Sequence, residues 1–128
     1  MAGYINNVEG LSYIDYKGKK ILYINYQPLN NDKAKVYKLI EGCAAEELRQ
    51  PDKSVLALTN VEGFHFDMDV LKKFKESVAK TKIKEKKVAL IGVKGLLKVA
   101  YNFVVSLTDP TTKVFDTEAE AKEWLVAD

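Results

Sequence analysis

The spacing of apolar and polar positions changes period several times along the chain, and each change marks an element. Leu11 to Tyr16 and Ile21 to Tyr26 are aromatic and β-branched runs separated by Lys17-Gly18-Lys19-Lys20, which predicts an antiparallel hairpin. Pro28, Asn30 and Asn31 end the second run and offer an N-cap. Val36, Ile40, Cys43, Ala44 and Leu48 then recur at helical spacing, as the inward stripe of a helix that stops before Pro51. Ser54 to Val61 reads as a buried strand, and a loop through Gly63 leads to a helix capped by Asp67, with Val70, Leu71, Phe74, Val78 and Ile83 inward. Lys87 to Val93, bounded by Gly92 and Gly95, predicts the next strand, feeding a helix that begins near Leu96 and ends at Asp109-Pro110. Thr112 to Phe115 is a short last strand. Thr117 followed by Glu120 is a capping-box pattern, opening a final helix that presents Ala121, Trp124 and Leu125.

The order is ββαβαβαβα, which specifies one α/β domain over residues 1–128. Its sheet is five-stranded, mixed but mostly parallel, with an N-terminal antiparallel hairpin and four helices. A hydrophobic content of 47% beside 30% charge suits a soluble domain with one core. The net charge of +2 argues against a nucleic-acid partner. Eight of the 19 lysines lie between Lys72 and Lys87, without an interleaved arginine to read bases, so they read as a solvated helix face. The N-terminus lacks a basic head and an apolar run of secretory length, and no stretch approaches a membrane span, so a cytoplasmic location is expected. Cys43 is the single cysteine, which fits a reducing compartment.

Candidate chemistry is sparse. No catalytic triad, metal cluster, Walker loop or dinucleotide fingerprint interrupts the rhythm, so neither a cofactor nor a catalytic residue is expected. His65, Asp67 and Asp69 alternate and would point the same way in an extended loop, as ligands of a divalent ion do, but capping and the helix dipole account for the aspartates. Gly92-Val93-Lys94-Gly95 joins a strand to a helix N-terminus, where an anion or nucleotide phosphate could be received; turn geometry is the simpler reason for its glycines. The helix near Leu96 is apolar almost all round, with Leu97, Tyr101, Val104 and Val105 needing cover from the fold, from a second copy in a homodimer, or from an apolar ligand, in that order. Tyr4, Tyr13, Tyr16, Tyr23 and Tyr26 crowd the N-terminal region, where they serve cross-strand packing or a sticky face for a protein.

Lys86 to Leu97 and Val114 to Leu125 carry a likeness to a known family. With the overall order of elements, they resemble the fourth strand with its turn and the closing strand and helix of the STAS family, the sulfate transporter and anti-sigma-factor antagonist domains, particularly its stand-alone bacterial members. The resemblance implies a sheet wound in one direction, with a partner-facing rim at the turns after the third and fourth strands. Antagonists of that family carry a phosphorylatable serine at the start of the second helix; Phe66-Asp67-Met68-Asp69-Val70 has no hydroxyl there, so the serine switch is not carried over.

The function this implies is a non-enzymatic STAS-like module that binds a protein partner, or itself, through Thr59, Asn60, His65, Asp67, Asp69, Gly92, Lys94 and Gly95. The alternative is a carrier or sensor for a lipid or other apolar small molecule, suggested by the apolar helix and by a looser likeness to Sec14-type lipid-binding domains.

Overall fold

The computed structural model describes residues 4–65, 67–93 and 111–127. β1 (Leu11–Tyr16) and β2 (Lys19–Asn25) pair antiparallel, Leu11 opposite Ile24 and Tyr16 opposite Lys19. Lys17 and Gly18 alone make the turn, at φ 50° and 82°, the left-handed pair that matches the twist of a tight hairpin. The expected four-residue connection is therefore shorter by two, and Lys19 and Lys20 belong to β2.

α1 (Lys33–Leu48) is capped by Asp32, whose carboxylate accepts from Lys35 N at 3.2 Å. The expected caps, Asn30 and Asn31, instead take left-handed conformations at φ 52° and 59° and turn the chain before the helix begins. Val36, Leu39 and Ile40 are buried, but Leu48, expected inward, is 46% exposed, because Glu46 and Glu47 occupy the inward positions of the last turn.

β3 (Val55–Asn60) lies between β2 and β4 (Glu85–Ile91), parallel to both, and all six of its residues are buried, as a strand covered on two faces requires. α2 (Met68–Thr81) ends in a 3₁₀ turn, Lys82–Lys84, that leads into β4. Ile83 falls on that turn and is 53% exposed, so it does not extend the inward stripe. β5 (Thr112–Phe115) pairs parallel with β4, and α3 (Glu118–Val126) follows. Thr117 caps it as expected, Glu120 N donating to Thr117 Oγ1 at 3.2 Å, while Glu120 Oε1 accepts at 3.0 Å from the Thr117 hydroxyl and not from its backbone N–H as a full capping box would have it.

The sheet order is β1-β2-β3-β4-β5, with one antiparallel pair and the rest parallel. α1 and α2 cover one face around Leu22, Ile24, Ala57 and Val70, and α3 covers the other around Ile21, Leu58, Ala89 and Leu125. Each fully buried leucine or isoleucine stabilises the fold by roughly 1.5–3 kcal/mol. The described residues contain three α-helices. The fourth, expected over Leu96 to Leu107, lies outside them, as do Lys94, Gly95, Leu97, Tyr101, Val104 and Val105.

Candidate functional site

The loops that follow β2 and β3 emerge together at the C-terminal edge of the parallel strands, where open α/β sheets place their contacts. Asn31 ties them: its Nδ2 donates to Gly63 O at 3.2 Å, and its Oδ1 accepts from His65 N at 2.9 Å. Beneath the tie Tyr26 and Phe64 stack, with ring centroids 4.8 Å apart and planes at 13°. Asp67 caps α2, accepting from Val70 N at 2.8 Å. Lys33 at the start of α1 reaches across to Asp67 Oδ2 at 3.3 Å and Asp69 Oδ2 at 2.9 Å. The Val70 amide and then Lys33 hold the Asp67 carboxyl below the usual range, while Asp69 and then Asp67 raise the Lys33 ammonium.

His65, Asp67 and Asp69 are thus brought to one exposed edge, but not as a ligand set: Asp67 is turned to its cap, and Asp69 is on the helix. Among the described residues, no group of three or more His, Cys, Asp or Glu side chains is placed to hold a metal ion. Thr59 and Asn60 are not on the exposed edge at all. Thr59 is 6% exposed and Asn60 9%; Asn60 Oδ1 accepts from Glu62 N at 3.0 Å, and its Nδ2 donates to Tyr23 Oη at 3.4 Å. Gly92 has φ 83°, and a Cβ there would stand 2.5 Å from Glu62 N, so close approach of the two loops accounts for this glycine. Met68, between the two aspartates, is 76% exposed. Periodicity hides such a residue, although a methionine flanked by acids and off the Val70 to Val78 stripe is the signal that could have marked it.

A second place with chemistry lies inside the molecule. Between the α1–α2 layer and the sheet is a cavity of about 60 Å³, mostly apolar, to which Cys43, Glu47, Glu85 and Thr112 contribute polar groups. Glu47 is 3% exposed; its Oε2 accepts from Cys43 Sγ at 3.2 Å, while its Oε1 is buried without a hydrogen-bond partner. Burial pushes the Glu47 carboxyl up, against the opposing influence of Glu85 and Cys43. Burial, followed by the Glu47 charge, does the same to the Cys43 thiol, which makes it a weak nucleophile.

Neighbouring Glu46 shows the opposite treatment. It is 6% exposed, yet Tyr13 Oη donates to its Oε2 at 2.6 Å and Gln50 Nε2 at 3.1 Å, with Arg49 at 3.4 Å from Oε1. Burial and then the Glu46 bond hold the Tyr13 hydroxyl far above its ordinary value, so it stays a donor. Comparison of the chain with protein-family models, with curated proteins and with solved structures gives no match.

Proposed function

We propose that this chain is a non-enzymatic STAS-like recognition module that meets a protein partner, or a second copy of itself, through the edge built by His65, Asp67, Met68 and Asp69. The observation that carries this reading is Met68, 76% exposed on a segment held from two sides. A large apolar side chain ringed by charge has the composition of an interface anchor with a polar rim. The Asn31 tie and the Lys33 bridges hold the segment before contact, which lowers the ordering cost of binding. Residence in the cytoplasm belongs to the same proposal and rests on the single cysteine. No helix among the described residues is long and apolar enough to cross a membrane.

Met68→Asp tests the reading, because the side chain makes little contact within the fold and its loss leaves the core alone. Sedimentation and affinity capture with wild type and variant should show loss of self-association or of a defined partner, at an unchanged melting temperature. Equal association by both proteins contradicts it.

The internal cavity favours a second reading, a carrier or sensor for a small molecule. At about 60 Å³ it is well under the roughly 150 Å³ of a cavity that holds benzene, which is short of a lipid acyl chain. This reading is therefore carried forward for small ligands only.

A further inference from the structure

The loops that enter β3 and β4 meet at the N-terminal edge of the parallel strands, opposite the Met68 edge. Lys53 N donates to Ile83 O and Ser54 N to Lys84 O, both at 3.0 Å, and Ser54 Oγ donates to Pro51 O at 2.6 Å. Lys84 Nζ adds an ion pair to Asp52 Oδ1 at 2.8 Å. Leu48, the last residue of α1, lines the same groove between the helices as Lys80, in the last turn of α2. This end of the molecule is thus one tied surface, with little backbone freedom left to lose on contact.

Two of the four large apolar side chains exposed among the described residues stand on it, Leu48 at 46% and Ile83 at 53%. With them are five cations, Arg49, Lys53, Lys80, Lys82 and Lys84. Asp52 is taken by Lys84, and Glu46, 3.4 Å from Arg49, is buried. Among the described residues no carboxylate pairs with Lys53, Lys80 or Lys82. The last three of these lysines close the run that begins at Lys72. Because α2 stops at Thr81, they gather at this turn instead of continuing along a helix face. At the other end Asp67 and Asp69 share Lys33, so the small net charge of +2 hides an uneven field that draws the Leu48 and Ile83 end toward an anionic surface.

We propose that this end docks reversibly on an anionic lipid bilayer, Leu48 and Ile83 entering the acyl boundary and the five cations lying among the headgroups. Aliphatic tips ringed by lysine supply the two signals such attachment needs, apolar burial and attraction to negative headgroups. The lysine stems add apolar length while their ammonium groups stay at headgroup level. A nucleic acid would use the cations but leave the aliphatic tips against phosphate, and neither loop carries an aromatic side chain on which a base could stack. A bilayer at this end leaves protein contact to the Met68 edge, one helix length away.

The test is sedimentation of the full chain with vesicles of phosphatidylcholine alone and of phosphatidylcholine mixed with phosphatidylserine, at physiological salt. The expected result is binding to the mixed vesicles, at least about tenfold weaker binding to the neutral ones, and loss of that preference in about 1 M salt. Ile83→Asp, which removes an apolar tip, and Lys82→Glu, which reverses a charge, should each weaken binding to the mixed vesicles about tenfold or more. Both side chains are exposed, so both variants should keep the wild-type melting temperature. Lys38→Glu makes the same charge change in the first half of α1 and should bind within about twofold of wild type. Absence of binding to the mixed vesicles overturns the proposal, as does unchanged binding by Ile83→Asp. Equal losses from Lys38→Glu and Lys82→Glu would show that net charge alone is felt, and tighter binding of a single-stranded oligonucleotide than of the vesicles would assign the surface to nucleic acid; either result overturns it too.

Discussion

Glu85 and Val88 line the same cavity although they stand three positions apart, an odd interval that a regular strand sends to opposite faces. The extra residue in β4, opposite the Val55–Leu56 step, reconciles the two. This one irregularity brings Glu85 of the sheet to the cavity that Glu47 of α1 also lines.

The pH dependence of stability follows from Glu47. Its folded-state affinity for a proton is raised by burial, so its contribution is fully present below the ordinary glutamate value and is lost as pH rises through the higher folded value. Glu85, Cys43 and Tyr26 line the same cavity as Glu47. The wild-type urea midpoint should therefore fall as pH rises above the ordinary glutamate range, and Glu47→Gln should flatten that fall. Equal slopes for the two proteins would show that Glu47 ionises as freely in the fold as outside it.

Tyr13→Phe should be costly for a different reason. It removes the 2.6 Å donor to Glu46, a carboxylate 6% exposed that keeps only Gln50 and Arg49. A loss of about 1–3 kcal/mol in chemical denaturation is expected. Tyr16→Phe removes a bond to Glu123 on an exposed surface where solvent replaces it, and should cost less than Tyr13→Phe. A reversed ranking would contradict the assignment of Tyr13 as the support of a buried charge.

Two glycines with nearly the same φ separate backbone strain from steric closure. Gly18 has φ 82° with nothing within 4 Å of an added Cβ, while Gly92 has φ 83° with Glu62 N only 2.5 Å away. Gly18→Ala should cost about 1 kcal/mol and Gly92→Ala roughly 3 kcal/mol or more, read from melting and urea curves. Similar costs would mean that the loops after β3 and β4 are not pressed together as described.

Much of this architecture is legible from local chemistry. Asp67 and the Thr117–Glu120 box can be read because a cap is a contact between near neighbours, and β3 because a strand buried on both faces leaves a continuous apolar run. Asp32 was obscured by Asn30 and Asn31, which are equally good caps by composition and differ only in backbone conformation. Thr59 and Asn60 do sit at the end of β3, but neighbouring strands on both sides bury them, which chain position alone does not reveal. Glu47 could have been found: it stands four residues after Cys43 and seven after Ile40, on the apolar phase of α1. Glu85 could not, because the residue that turns it inward, Lys86, is defined by pairing with a distant strand.

The exposed edge around Met68 is tested most directly by a photo-crosslinking side chain placed at position 68 in living cells, with position 83 as the control. Both native residues are exposed and apolar; Met68 opens α2 and Ile83 lies on the 3₁₀ turn after its end, so the length of a 14-residue helix, about 20 Å, separates them. The account predicts a discrete crosslinked species, a partner or a dimer, from position 68 and none from position 83. The same adducts from both positions, or adducts from position 83 alone, would contradict it.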